Sequence, residues 1–188
     1  SLHNFDEINK KNINILDIVE IERAGDVIPY VTRLIKKNSA KKNKIIPPKI
    51  CPICKSKTIK EADEAVLRCS NKYGCDSQII GQLIHFISKK SLNVDGFGEK
   101  QVKQLFYLKL INKREDIFEI KNKKNLIINI EGWGELSFNN LINSIEKSKT
   151  ISLEKFIYSL GIRYVGEINS EILAKDFKDL NQFISSIN

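Results

Sequence analysis

Cys51-Pro52-Ile53-Cys54 and, after a 14-residue interval, Cys69-Ser70-Asn71-Lys72-Tyr73-Gly74-Cys75 form the stretch around which the 188-residue chain is organised. It holds all four cysteines of the sequence. A Cys-x2-Cys turn aims two thiolates at one point, as a zinc knuckle requires. The second pair is spaced Cys-x5-Cys, and Gly74 is expected to supply the unusual backbone angle of that wider loop. Four sulfur ligands close a tetrahedron, so zinc on Cys51, Cys54, Cys69 and Cys75 would be structural and not hydrolytic. So short a segment buries too little apolar surface to fold by itself, whereas metal binding is worth about 10–16 kcal/mol in zinc-finger peptides. Cysteines gathered between positions 51 and 75 cannot staple the whole chain. A disulfide scaffold is thereby excluded, and a reducing compartment is expected.

Upstream, Ile15-Leu16-Asp17-Ile18-Val19-Glu20-Ile21-Glu22-Arg23, Ala24-Gly25-Asp26 and Val27-Ile28-Pro29-Tyr30-Val31 alternate branched apolar residues with charges about a Gly-Asp turn. That is a strand-turn-strand signal. A lone hairpin is marginal in water, so these strands are expected to complete a sheet begun before Ser1. A basic run, Lys36-Lys37-Asn38-Ser39-Ala40-Lys41-Lys42-Asn43-Lys44, closed by Pro47-Pro48, reads as a solvated linker. Downstream the apolar period changes to that of helices: Ile79, Ile80, Leu83, Ile84 and Ile87, then Val102, Leu105 and Phe106. His85 falls inside the first of these helices and is read as a packed residue, not a ligand; His3 carries no clear message.

The helical part repeats a motif. Val94-Asp95-Gly96-Phe97-Gly98-Glu99-Lys100 precedes Val102, Leu105 and Phe106; Ile130-Glu131-Gly132-Trp133-Gly134-Glu135 precedes Phe138, Leu141 and Ile142. A looser copy, Ile162-Arg163-Tyr164-Val165-Gly166-Glu167, precedes Leu173 and Ala174. Each is an apolar residue, a tight hairpin and the start of an amphipathic helix, the helix-hairpin-helix pattern. Glycine permits positive φ and close approach of a phosphate, and the following helix offers N–H groups and its positive end to an anion. Such contacts hold DNA without reading bases. The candidate DNA-binding residues are Gly96, Gly98, Lys100, Gly132, Gly134 and Gly166; Leu136 stands where the second copy would repeat Lys100. Trp133 is read as a hairpin anchor, not a base-stacking platform.

The formal net charge of +8 and pI near 9.2 favour a polyanionic partner, nucleic acid ahead of an anionic membrane. No apolar run approaches the ~18 residues of a membrane span. The absence of methionine and the opening Ser1-Leu2-His3 lead to the expectation of an internal piece of a longer protein.

This order of a strand hairpin, a Cys-x2-Cys-x14-Cys-x5-Cys segment and serial helix-hairpin-helix motifs resembles the bacterial NAD-dependent DNA ligase family nearly end to end. Leu2-His3-Asn4, Asp6-Glu7-Ile8 and Arg23-Ala24-Gly25-Asp26-Val27-Ile28-Pro29 look like the end of that family's OB fold. Cys51-Pro52-Ile53-Cys54, Leu67-Arg68-Cys69 and Cys75 look like its zinc finger. Leu83-Ile84-His85-Phe86-Ile87-Ser88, Gly96-Phe97-Gly98-Glu99-Lys100 and Leu160-Gly161-Ile162-Arg163-Tyr164-Val165-Gly166-Glu167 look like its helix-hairpin-helix domain.

The resemblance implies an α+β multidomain fragment. Residues 1–45 would be the C-terminal part of an OB-fold β-barrel plus the basic linker, 46–78 the zinc finger, and 79–188 an all-α helix-hairpin-helix domain, incomplete at its C-terminus. It implies the DNA-binding clamp of a bacterial enzyme, cytoplasmic and associated with the nucleoid, that seals nicks between 3′-hydroxyl and 5′-phosphate ends in replication and repair. Zn2+ would be held in this chain, NAD and Mg2+ at sites outside it. The family's adenylated lysine belongs to Lys-x-Asp-Gly; here Asn93-Val94-Asp95-Gly96 has asparagine instead, so no catalytic residue is assigned and the piece alone should be inactive. The expected partner is nicked duplex DNA, with no membrane, and a monomer is expected. The alternative is a non-enzymatic repair or recombination mediator built from zinc and helix-hairpin-helix modules. A protein-interaction module with degenerate hairpins is a third class.

Overall fold

A computed structural model describes residues 2, 4–24, 28–38, 45–62, 64–177 and 179–187, the side chains of Ala24 and Ile187 apart. The expected Gly25-Asp26 turn with Val27, linker residues 39–44 and His3 lie outside the described residues. The chain divides into two compact units, Ser1–Cys75 and Asp76–Asn188. The α+β architecture expected from sequence is present: short strands, a cysteine cluster, then helices.

The first unit opens with helix α1 (Phe5–Lys10), which sequence reading passed over. Its start is set by Asn4, whose side chain accepts the Glu7 N–H at 2.8 Å, a capping bond worth roughly 1 kcal/mol. Asp6 and Glu7 lie at its positive end and Lys10 at its negative end. Lys11 Nζ donates to the Thr32 carbonyl at 3.2 Å, tying the helix end to the sheet.

Strands β1 (Ile18–Ala24) and β2 (Ile28–Lys36) pair antiparallel, with Glu22 opposite Tyr30 and Ile21 opposite Val31. The strand hairpin expected from alternation therefore forms, with two differences. Ile15 and Leu16 lie in a turn before β1, Leu16 in the left-handed region at φ 67°. Ile18 pairs with Lys36, so the first residue of the basic run is strand and not linker. Register shifts between Ile18 and Ile21 extend the pairing that far.

The cysteine segment is built on β3 (Thr58–Ile59) and β4 (Arg68–Cys69), antiparallel, with an added bridge from Ile50 to Lys57. Lys60 and Asp6 make an exposed ion pair at 2.7 Å between this segment and α1.

The second unit is helical: α2 (Asp76–Ile87), α3 (Glu99–Tyr107), α4 (Lys124–Ile127), α5 (Glu135–Ser148), α6 (Leu153–Ser159), α7 (Glu167–Asp176) and α8 (Leu180–Ile187). Most of the predicted apolar positions enter its core: Ile80, Leu83 and Ile87 from α2, Val102, Leu105 and Phe106 from α3, Phe138 and Leu141 from α5, whereas Leu173 and Ala174 of α7 are only half-buried and lie outside it. Ile79, Ile84 and Ile142 pack on its edge. Two 3-10 turns (Arg114–Ile117 and Ile120–Lys123) bridge α3 to α4. Their Ile117 and Ile120, with Ile111 before and Ile127 after, are fully buried.

Candidate metal centre and nucleic-acid interface

The four cysteine sulfurs all lie within 4.8 Å of one another. Cys51 Sγ is 3.9 Å from Cys75 Sγ, and Cys54 Sγ is 3.4 Å from Cys69 Sγ. Tetrahedral zinc with bonds near 2.3 Å requires sulfurs ~3.8 Å apart, so the cluster has the right size for one ion. Cys51 and Cys75 are buried and the other two partly so, a setting that shields a metal from exchange.

Local backbone geometry explains the convergence. The Cys51 N–H donates to the Ser56 carbonyl at 2.8 Å and the Lys55 N–H returns to the Cys51 carbonyl at 3.0 Å. Lys55, at φ 62°, is the left-handed residue that closes this knuckle. Gly74 does not play that part, contrary to the expectation: its φ is not positive. It is small for a different reason. A Cβ there would stand 2.7 Å from the Asn71 side chain, whose Oδ1 accepts the Gly74 N–H at 2.9 Å. The wide loop is thus cinched by Asn71, a residue the spacing rule had no reason to select.

The thiols are already differentiated. Hydrogen bonds from the Ser56 hydroxyl and backbone lower Cys54 to about 6. Backbone N–H groups of Cys54 and Ile53 lower Cys51. The Asn71 N–H favours the Cys69 thiolate, but burial and the neighbouring Cys54 and Cys51 push that thiol up to about 11. Several sulfurs crowded together cannot all ionise unaided, and a dication supplies the missing compensation.

The three hairpins superpose in kind. Gly96, Gly132 and Tyr164 take left-handed φ values of 76°, 84° and 66°. In each, the N–H two residues after the preceding acidic or basic tip residue closes a turn onto an apolar residue's carbonyl. Phe97 bonds Val94 at 3.4 Å, Trp133 bonds Ile130 at 3.0 Å, and Val165 bonds Ile162 at 3.0 Å. The second glycines, Gly98, Gly134 and Gly166, are extended helix N-caps, not positive-φ positions. Each then accepts the first helical bond, from Val102, Phe138 and Ser170 at 2.9–3.0 Å. The N–H groups of the first helical turn lie ahead of those bonds.

Around this common backbone the side chains differ. Phe97 is buried, Trp133 half-buried with its indole N–H on Gln104 Oε1 at 2.7 Å, and Val165 half-buried. Trp133 therefore anchors its hairpin as expected. The first-turn glutamates would repel an anion, yet each has a lysine. Glu99 pairs with Lys103, Glu135 with Lys124 at 3.3 Å, and Glu167 with Lys90 at 2.7 Å. Lys100 is exposed on α3, and Leu136, at the matching position on α5, is 76% exposed. The hairpins are also braced across one another: Ser144 of α5 accepts the Asp95 N–H at 2.7 Å, while Gln104 of α3 reaches the second hairpin.

His85 is a structural residue. Its Nε2 donates to the Tyr158 carbonyl at 2.8 Å and its ring lies 4.8 Å from that of Tyr158, joining α2 to α6. Gly161, at φ 60°, gives it room: a Cβ would stand 3.2 Å from the imidazole.

Comparison with known proteins bears on both features. Residues 1–44 match the NAD-dependent DNA ligase OB-fold domain, and residues 51–76 match the NAD-dependent DNA ligase C4 zinc finger domain. Over 191 residues the chain is 46% identical to a DNA ligase of Pelagibacter ubique, covering 97% of this chain and 28% of that protein. It is 43% identical over 192 residues to a DNA ligase of Rickettsia prowazekii, with 100% and 28% covered. The figures for a DNA ligase of Wolbachia from Brugia malayi are 42% over 190 residues, with 100% and 28% covered. The chain thus spans 28% of the length of these relatives. Among the described residues no helix is long and apolar enough to cross a membrane.

Proposed function

We propose, for a chain whose sequence belongs to the NAD-dependent DNA ligase family, that it holds nicked duplex DNA while the joining chemistry is done elsewhere in a longer protein. The observation that carries this reading is the shared backbone of the three hairpins, each leading into a helix whose first-turn glutamate is neutralised by a lysine. A phosphate oxygen approaching such a turn meets oriented N–H groups and a positive helix end. Nothing in that contact depends on base identity, which suits an enzyme that must act at any sequence. Cys51, Cys54, Cys69 and Cys75 would hold zinc, which ties four thiolates together and leaves no position for substrate. Asn93 stands where an adenylated lysine would be needed, so no nucleotidyl transfer is assigned to this chain.

The test is titration of a fluorescent nicked duplex with the purified chain, paired with incubation in labelled NAD and Mg2+. Binding that is indifferent to sequence, with no AMP adduct, is the expected result. A stable AMP adduct on the chain, or no affinity for duplex of any kind, would overturn the proposal.

A further inference from the structure

The third hairpin departs from the other two at its tip. Residues Asp95-Gly96 and Glu131-Gly132 are an acid followed by glycine, and the matching pair here is Arg163-Tyr164. The charge at the tip is reversed, and an aromatic ring stands where the others have no side chain at all. That ring is 73% exposed, and the Arg163 guanidinium lies over it at 5.1 Å from the ring centre. The Tyr164 carbonyl is held by the Asn169 side chain at 2.7 Å, so the base of the unit is fixed.

From these side chains we infer that Arg163 and Tyr164 form a DNA-contacting pair, by which the tip of the third hairpin grips DNA through side chains at the point where Gly96 and Gly132 of the first two offer only backbone. The inference rests on the DNA-holding reading above and adds a residue-level division of labour to it. An exposed aromatic ring with a stacked guanidinium is suited to a nucleic acid. Its flat face covers a sugar or a base, and the cation meets the neighbouring phosphate. The acid-for-base exchange matters as much as the ring. Asp95 and Glu131 repel a phosphate at the hairpin tip, whereas Arg163 attracts one. The copy that has drifted furthest from the glycine pattern is thereby the one whose tip best complements a polyanion. Its backbone still adopts the turn, because Tyr164 accepts the left-handed conformation that glycine takes in the others.

Tyr164→Gly is a clean test, since glycine suits that φ without strain and only the ring is lost. Tyr164→Asn, which also tolerates the conformation, is the second variant, and Arg163→Gln removes the charge. Affinity for a nicked duplex is measured by fluorescence anisotropy, with thermal melting as the check on folding. Both Tyr164 variants should melt no lower than the parent chain and bind about fivefold more weakly or worse, from the scale of aromatic stacking on bases. Arg163→Gln should weaken binding as well. If the Tyr164 variants bind as tightly as the parent while Gly134→Thr binds weakly, the side-chain contact is refuted and DNA holding survives. That pattern is also what a protein-contacting tip would give. If the parent chain has no affinity for duplex, both readings fall together.

Discussion

Gln104 of α3 clasps the second hairpin with both ends of its amide: Oε1 accepts the Trp133 indole N–H at 2.7 Å, and Nε2 donates to the Glu131 carbonyl at 3.0 Å. A helix launched by one hairpin thus sets the position of the next. Gln104→Ala leaves the half-buried indole N–H without this partner, at a cost of about 1–2 kcal/mol. The melting temperature of the helical unit should fall by roughly 4–8 °C. Trp133 is the only tryptophan, so its emission should also shift to the red. Unchanged emission would show the clasp to be incidental.

Metal removal should act on the cysteine segment. Stripping zinc with a chelator is expected to unfold the cysteine segment up to Cys75 and to expose four reactive thiols, while the helical circular dichroism signal of the second unit largely persists. Cys54→Ser should abolish stoichiometric zinc binding. Thiol reactivity that is the same before and after chelation would count against the site.

Glycine substitutions at the two hairpin positions should separate folding from binding. A Cβ at Gly134 meets nothing within 4 Å, and its extended φ suits any residue. Gly134→Thr keeps a capping residue there, so melting should move little. A β-branched side chain between hairpin and phosphate should still weaken binding several-fold, to all sequences alike. Gly132→Val forces positive φ on a branched residue, costing about 1–2 kcal/mol, and should destabilise the fold as well. Sequence-dependent loss in Gly134→Thr would point to base readout instead.

Acid should loosen the strand hairpin. Asp17 is held below the usual carboxylate range chiefly by the Asn38 N–H, and Glu20 chiefly by the Arg33 guanidinium. A carboxyl whose pKa is lower folded than unfolded stabilises the fold at neutral pH, and that contribution is lost as pH falls through the folded value. The first unit's melting temperature should therefore drop below about pH 4. The drop should shrink in Asp17→Asn combined with Glu20→Gln. Both carboxylates are solvent-accessible, so the effect should be modest and smaller in high salt. A pH profile identical in the double variant would assign the acid sensitivity to other groups.

Much of this was legible in the sequence because it follows short-range rules. Cys51, Cys54, Cys69 and Cys75 announce themselves by type and spacing, and Phe97 and Trp133 by their place between glycines. Leu83, Val102 and Leu105 reveal their burial by helical period. The residues that escaped notice work across the chain or against type. Gln104 and Ser144 are polar, fall on no apolar stripe, and matter only because a distant hairpin passes beside them. Asn71 is legible only once the loop is folded back onto Gly74. Tyr164 was legible as part of a looser third copy, but a pattern built on residue names could not show that it takes the same left-handed backbone angle as Gly96 and Gly132. Helix α1, six residues long, is too short to show a period.

The two 3-10 turns between α3 and α4 are less regular than the α-helices of the helical unit, yet carry some of its best-buried side chains. Their amides are bonded all the same, Phe118 to Glu115 at 3.1 Å and Asn122 to Glu119 at 3.0 Å. Helix α7 is regular, yet it carries exposed Ile168 and Ile172. Hydrogen–deuterium exchange tracks the free energy of local opening and not the tidiness of the ribbon. The slowest amides of this unit are therefore to be sought in and around the irregular bridge, with α7 exchanging sooner. Protection would then map a kernel around Ile111, Ile117, Ile120 and Ile127, with α7 among the more readily opened parts.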